Sequence, residues 1–389
     1  MSIYKRTLEE TLQNKKLREE GKHIAIPFPF PRFSNYFPGI MKRRYFIVTA
    51  NQKVGKSKIT DFLFMISPFL FQKYVETNIK PRIKYFSLEM SKEDKINEMR
   101  SFLLFHLHGI TMAPDTIDSI YSGYILDPVI ERIIKSDEFL SWFEEFENVV
   151  EFIDYTKNPY GIYKNVREYA HRNGTYIDKE GKPMDMRIPL RYDTPGFKET
   201  PDLRKEIDQY NKNIQFYKAD DEDVYNIVII DHARLLTVEK DLDDRRNIEN
   251  FSSNYLMGMR DRWNFIPVLV QQQMAAQESV DNAKAAKLRP SSDGLGISKN
   301  TAQDCDTLLG LFSPARHKKL SWEEYDISQL VDKHRELSII LNRRGNATIT
   351  QLYFNGASNY FKELPPVSQM SSQVYNIITE NKVSPKIEF

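Results

Sequence analysis

The chain has 389 residues, 41% of them hydrophobic and 12% aromatic, and a formal net charge of +1. Such a composition belongs to a globular protein, and a charge so near zero excludes a globally basic nucleic-acid coat while permitting a local basic lining. A single cysteine, Cys305, excludes an intrachain disulfide and points to a reducing compartment; no apolar run reaches membrane-spanning length and the start, Met1-Ser-Ile-Tyr-Lys-Arg, is not secretory, so a cytoplasmic protein without a membrane partner is expected.

Residues 1–22 predict a lone helix. Tyr4, Leu8 and Leu12 recur at four-residue spacing, charged residues fill the other faces, and Gly21 supplies a stop. Ile26-Pro-Phe-Pro-Phe-Pro31 cannot continue that helix and reads as an extended linker. A helix carried on such a linker either docks on a neighbouring subunit or folds back on its own domain.

The rest depends on Tyr45-Phe-Ile-Val-Thr-Ala-Asn-Gln-Lys-Val-Gly-Lys-Ser57. A β-type run enters a short polar loop ending Gly-Lys-Ser, and a helical segment follows from Lys58. That context suits a nucleoside triphosphate, because the loop N–H groups and the positive end of the helix face phosphate oxygens. The candidate phosphate contacts are Asn51, Gln52, Lys53, Val54, Gly55, Lys56, Ser57 and Lys58. Lys56 is suited to reach the β- and γ-phosphates, and Ser57 to offer its hydroxyl to Mg2+. Ala50 stands where the usual G-x-x-x-x-G-K-[ST] pattern has its first glycine.

A second strand, Arg82 to Ser87, runs directly into Leu88-Glu89-Met90-Ser91, and Ser91 caps a helix from Lys92 to His106. A carboxylate at the C-terminal end of a strand lies where α/β sheets keep their ligands. Glu89 is therefore either a general base or a helix-start acid favoured by the dipole. Residues 108–150 read as mainly helical, Val149 to Asp154 as a third strand, and 160–171 as a helix. Residues 172–222 are polar, with turn signals such as Glu180-Gly181, a small hairpin near Tyr176 and a short helix over 203–217; they read as a surface insertion.

Val224 to Asp231 is the clearest strand, ending in a carboxylate of the type that holds Mg2+ beside a phosphate loop. After a helix over 247–263, the strand Phe265 to Val270 ends in Gln271-Gln-Gln273. Residues 274–300 predict a mobile loop with Lys284, Lys287 and Arg289, suited either to a nucleic-acid backbone or to plain solvation. Strands at 305–312 and 337–341, then Asn342-Arg343-Arg344-Gly345-Asn346 turning into 348–354, make a terminal hairpin. The tail after Pro365-Pro366 reads as loosely held. The seven histidines lack metal-ligand spacing and no Ser-His-Asp or Cys-His grouping appears, which disfavours a metal hydrolase.

In this order the pieces resemble the ATPase domain of the DnaB-like replicative helicases, whose core is RecA-like. Thr49 to Ser57 matches the phosphate loop, where that family also tolerates alanine at the first position. Phe86-Ser-Leu-Glu-Met90 matches its most specific signature, and Ile227-Val-Ile-Ile-Asp231 its Mg2+-site strand. Pro267 to Gln273 resembles the strand that ends in a γ-phosphate-sensing glutamine. Arg289-Pro290, Asp293 and Gln303-Asp-Cys-Asp306 resemble a later family stretch.

The resemblance implies an α/β fold: a RecA-like P-loop ATPase core over residues 23–364, with a mainly parallel central sheet flanked by helices, a terminal β-hairpin and the 172–222 insertion. Residues 1–22 become a linker helix that hooks onto the next subunit, and 365–389 a C-terminal tail. Also implied are ATP and Mg2+ as cofactors, Ser57 and Asp231 as the metal site, Glu89 as the catalytic residue and Gln273 as the sensor. An arginine finger on the hairpin would serve the adjacent subunit's ATP. Aligned without gaps on Phe354-Asn-Gly356 it is Arg343, with Arg344 the alternative if the turn is one residue shorter. Leu341 stands at the lysine of the family's K-x-R pattern, and His232 where the family often has tyrosine. Candidate nucleic-acid contacts are Arg245, Arg246, Lys284, Lys287 and Arg289.

The resemblance implies a form without the large N-terminal domain of the cellular members, as phage-encoded versions often are. The expected activity is an ATP-dependent helicase or translocase on single-stranded DNA in replication. The expected assembly is a ring or spiral homo-oligomer, a hexamer, with primase or a helicase loader as further partners. Two alternatives fit the same residues: a nucleotide-switched DNA-binding or scaffold protein without unwinding activity, and another RecA-fold ATPase such as a recombinase.

Overall fold

The structure, a computed structural model, describes residues 3–389 except 121, 122, 124, 195, 196, 199, 280–286, 296 and 297. In chain order the strands are β1 (Phe46–Ala50), β2 (Lys80–Ser87), β3 (Val150–Ile153), β4 (Gly174–Asp178), β5 (Ile214–Ala219), β6 (Val224–Asp231), β7 (Ile266–Gln272), β8 (Thr307–Phe312), β9 (Ser321–Trp322), β10 (Tyr325–Asp326), β11 (His334–Asn342), β12 (Ile349–Asn355) and β13 (Tyr360–Glu363). Nine form one sheet in the order β13-β12-β11-β8-β1-β7-β6-β2-β3. From β8 to β3 the neighbours run parallel, while β11, β12 and β13 add an antiparallel flank.

Parallel strands need crossover helices on both faces, and the central strands are accordingly apolar on both sides. Phe46 and Val48 of β1 enter one core and Tyr45 and Ile47 the other. The first core is covered by a continuous helix made of Lys56–Asp61, the π-helical Phe62–Ile66 and Ser67–Tyr74, with Lys92–His108 beside it. The second is covered by Pro159–Arg172 and by the helix running through Asp244–Asn250, Phe251–Leu256 and Met257–Trp263. Among the described residues no helix is long and apolar enough to cross a membrane.

Three stretches correct the expectation. Ile26 to Phe30 is extended, with Pro31 opening a short helix, but is no free linker: Ile26, Phe28 and Phe30 are buried in the first core, because alternate residues of an extended chain share a face. Residues 172–222 are more than a surface excursion. β4 pairs with the distant β5 and meets Pro183 only at an isolated bridge. Tyr176, Tyr210 and Tyr217 are buried in the second core, and Trp263 Nε1 donates to the Tyr176 hydroxyl at 2.8 Å. Tyrosine supplies the anchoring area here, where branched apolar residues are few.

The tail, third, is held down. Helix Ser372–Thr379 buries Tyr375 and Ile378, Phe389 meets Phe71 edge-on at 5.3 Å, and the Tyr360 hydroxyl donates to the Ser384 carbonyl at 3.1 Å. Val374, Tyr375 and Ile378, at three- and four-residue spacing, give that helix its apolar face. By contrast, helix Ile3–Glu19 leaves Tyr4, Leu8 and Leu12 exposed at 74%, 41% and 55%.

Candidate active site

The site is built at the C-terminal edge of the parallel strands. β1 hands over to the loop at Ala50, and the loop passes through Lys53 and Gly55 with positive φ of 58° and 104°. At Gly55 glycine meets two needs: it adopts the left-handed conformation freely, and a Cβ there would lie 3.3 Å from the Phe354 ring. Gly55 is also the N-cap of the following helix and provides no side-chain cap, so the first-turn N–H groups remain open to an anion.

Asn51 is 3% exposed, and neither its amide oxygen nor its amide nitrogen has a partner among the described residues. A buried amide with both ends unmet fits a loop shaped around a polar ligand. Burial lowers the Lys56 ammonium from its ordinary value, while Asp231 and Glu89 act in the opposite direction. Gln52 and Lys53 are exposed, Val54 is buried, and the Lys58 ammonium is engaged by Glu98 at 3.1 Å.

Ser57 and Asp231, expected to form the metal side of the site, are in contact. Ser57 Oγ donates to Asp231 Oδ1 at 3.2 Å, bringing a hydroxyl and a carboxylate together as hard oxygen donors of the kind Mg2+ takes. Among the described residues no group of three or more His, Cys, Asp or Glu gathers to hold a metal. Mg2+ bound here would complete its shell with nucleotide phosphates and water, as it does in phosphate sites.

β2 lies beside β6 with Ser87 opposite Asp231, so Glu89 emerges at the same edge. Its side chain is 58% exposed, and Oε2 lies 3.7 Å from His232 Nε2. Burial, with Lys56 nearby, lowers the His232 pKa to about 4, so the imidazole beside Glu89 is neutral at physiological pH. Lys157 donates to the Leu88 carbonyl at 2.7 Å and steadies the turn that carries Glu89.

Gln273 is 2% exposed and wedged between the phosphate-loop strand and the following loop. Its Nε2 donates to Thr49 Oγ1 at 3.1 Å and to the Ser291 carbonyl at 3.0 Å, and its Oε1 accepts from the Ser291 N–H at 3.3 Å. Gly294 leaves room for it, since a Cβ there would fall 1.9 Å from Oε1.

The basic residues separate. Arg289 is compensated within the chain: it forms a bidentate pair with buried Glu336 at 2.6 and 2.8 Å, binds Glu323, and lies over the Trp322 ring. The nucleic-acid role expected of Arg289 therefore does not follow from this arrangement. Arg245 pairs with Glu249 and Arg246 with Asp243, yet both stay largely exposed at 56% and 72%. Lys287 is exposed, and Lys284 lies outside the described residues.

Arg335 had no motif to mark it. It is 2% exposed, donates from Nε to the Val54 carbonyl at 2.7 Å, and stacks on Phe354 at 4.5 Å, so β11 clamps the phosphate loop. The signal available was a polar triplet, His334-Arg335-Glu336, opening a mostly apolar strand. The other end of β11 carries the expected finger residues. Arg343 donates from Nε to the Cys305 carbonyl at 2.9 Å and from Nη2 to the Gln303 carbonyl. Arg344 is exposed, and its guanidinium makes no hydrogen bond among the described residues.

The loop Asn51 to Ser57 leaving β1, with Asp231 at the end of β6, one strand beyond β7, in a mostly parallel sheet, gives a RecA-like α/β fold. Among solved structures the chain is similar to one described as an ATPase domain, with a TM-score of 0.57 and 16% identity over 94% of this chain and 99% of that one. It is also similar to a DnaB-like replicative helicase described with its interactions with primase, with a TM-score of 0.60 and 15% identity over 94% of this chain and 67% of that one. No family model and no curated protein matches the sequence. The resemblance read from the motifs is thus also a resemblance of fold. At such identity the activity has to be argued from the site.

Proposed function

We propose that the chain is an ATP-hydrolysing motor on single-stranded DNA, a replicative helicase that works as a ring or spiral of identical subunits. The observation that carries this reading is the Ser57–Asp231 contact at 3.2 Å beside Lys56 and at the same sheet edge as Glu89. Lys56 balances phosphate charge, and Glu89 orients the attacking water and accepts its proton. Mg2+ held by Ser57 and Asp231 would neutralise the phosphate oxygens and fix the triphosphate. Gln273, bonded to Thr49 on one side and Ser291 on the other, would carry the state of the phosphate loop to the residues around Lys287.

Register supports an arginine acting between subunits. Asn342, where the hairpin turns, lies opposite Thr307, which lies opposite Phe46 at the start of β1; the phosphate loop leaves from the other end. Five residues of strand separate those ends by about 16 Å. Arg344 is the better candidate than Arg343, whose guanidinium is already bonded to its own chain. The exposed stripe of Tyr4, Leu8 and Leu12 supports docking of residues 1–22 on the adjacent copy. Arg245, Arg246 and Lys287 remain as contacts for the phosphate backbone, with little base readout. Primase, which the similar helicase engages, is the first further partner to test.

The purified chain should hydrolyse ATP faster with single-stranded DNA, and Glu89→Gln should abolish turnover while nucleotide still binds. Hydrolysis indifferent to DNA, or full activity in that variant, would overturn the reading. The compensation of Arg289 by Glu336 and Glu323 favours a second reading, a nucleotide-switched scaffold that does not unwind. Hydrolysis without strand displacement at either DNA polarity would select it.

A further inference from the structure

Behind the metal-side carboxylate runs a buried polar chain that the proposed hydrolysis chemistry does not use. Tyr85 of β2, Asp61 in the phosphate-loop helix and Lys95 at the start of Lys92–His108 are each at most 1% exposed. The Tyr85 hydroxyl lies 2.7 Å from Asp61 Oδ1 and 3.0 Å from Asp231 Oδ2. Lys95 Nζ donates to Asp61 Oδ2 at 2.9 Å and to Glu98 Oε2 at 3.3 Å, and lies 4.0 Å from Asp231 Oδ2. Glu98 in turn meets Lys58 at 3.1 Å nearer the surface. Burial works against the Lys95 charge, but Asp61, Glu98 and Asp231 together hold it protonated, above its ordinary value.

Stability alone does not call for such a pair. Removing two charges from water offsets most of their attraction, and two apolar residues of similar volume serve a core as well. Ile59, Phe62, Met99 and Phe102, on the same two helices, do that work. What the pair supplies is position. Lys95 donates to Asp61, and the Tyr85 hydroxyl, with its single proton shared between Asp61 Oδ1 and Asp231 Oδ2, sits against Asp231 Oδ2 and leaves Oδ1 toward Ser57. Carboxylates that ligate metals depend on such outer partners for their orientation. The hydroxyl is also separable from the ring, which packs against Phe152 at 5.5 Å whether or not the oxygen is present.

We propose that Tyr85, backed by the buried Asp61–Lys95 pair, is the positioning residue that fixes the Asp231 carboxylate for Mg2+-nucleotide. It acts through Asp231 and touches neither metal nor nucleotide. The inference rests on the reading of Ser57 and Asp231 as the metal site.

The test is calorimetric titration of Mg2+ into the full chain with ADP present, with ADP affinity measured separately in EDTA. Tyr85→Phe should weaken Mg2+ binding about tenfold, in the range for outer-shell partners, and leave metal-free ADP affinity unchanged. The double variant Asp61→Asn/Lys95→Met, which leaves no lone buried charge, should shift Mg2+ binding in the same direction, and it decides the matter if Tyr85→Phe does not fold. Mg2+ affinity equal to wild type in the folded variant overturns the inference, as does a parallel loss of ADP affinity in EDTA. Wild-type protein without Mg2+-dependent ADP binding overturns the functional reading itself, and with it this inference. Mg2+-dependent ADP binding in the wild type that is not weakened in the folded variants overturns the inference alone.

Discussion

The two ends of β1 are chemically opposite. At the Ala50 end lie the open helix N-terminus, the Asn51 amide without a partner among the described residues, the Ser57–Asp231 pair and Glu89, the place proposed for phosphate and metal. At the Phe46 end arginines gather around Asp306: Arg260 at 3.1 Å, Arg44 at 3.9 Å, and Arg343 through its backbone N–H. Arg344 stands near enough that its charge adds to burial in lowering the Arg44 pKa. Arg335, which does reach the phosphate loop, is engaged with backbone carbonyls and Asp332. Arg234, three residues beyond Asp231, is exposed and close enough to add to burial in lowering the His232 pKa, so the loop end carries an arginine of its own. A strand cannot fold its two ends together, so on the proposed reading the arginines at the Phe46 end would serve a loop of another copy.

The sharpest way to break that comparison is at the loop. Lys56→Ala should reduce ATP turnover by about 10²–10³-fold, the usual loss when a donor to developing phosphate charge is removed. Steady-state hydrolysis at saturating Mg2+ checks it. At the far end, Arg344→Ala should lower kcat by about 10³-fold with nucleotide binding retained. Arg343→Ala should act mainly on stability. Mixing Lys56→Ala with Arg344→Ala subunits should restore part of the activity, because the first can lend its Arg344 to the intact loop of the second. No restoration would break the two-ended account.

Arg335→Ala should cost about 1–3 kcal/mol in denaturant unfolding and raise the KM for ATP, since the Val54 carbonyl loses its partner. Acid should act next. Burial lowers the pKa of His232 and His334 to about 4, against about 6.5 in the unfolded chain. The unfolded chain therefore takes up these protons first. The stability from keeping them neutral is complete above about pH 6.5 and is lost progressively toward pH 4. Thermal midpoints across that window should fall, and His232→Gln should remove part of the slope. The smallest effect on stability is expected from Leu8→Glu/Leu12→Glu. These exposed positions should change it by less than about 0.5 kcal/mol while sedimentation shows loss of assembly.

Much of the fold was legible where signals are local. β1, β6, β7 and β8 announced themselves as apolar runs and β2 as an alternating strand, and the residues at or just beyond their ends, Asn51 to Ser57, Glu89, Asp231 and Gln273, follow directly in the chain. β13 and the β4–β5 pair were not legible. Their residues show no strong alternation, and a strand's partner 36 residues away leaves no local mark. The tail misread for a related reason: its prolines are a local signal, whereas its anchors are Phe71, far off in the chain, and Tyr360, 24 residues from its partner Ser384.

The sequence by itself determined the chemistry at each strand end, because a strand, its loop and the next helix are contiguous and their period and turn residues act over a few positions. Only the tertiary structure decided which of those ends meet. Arg335 clamps a loop 281 residues away, Tyr85 reaches Asp231 across 146, and Arg289 turns inward to Glu336. It also put the hairpin tip at the opposite edge from its own phosphate loop. Strand order and register settle such contacts, and they depend on how two whole faces bury together, a property that no single segment carries.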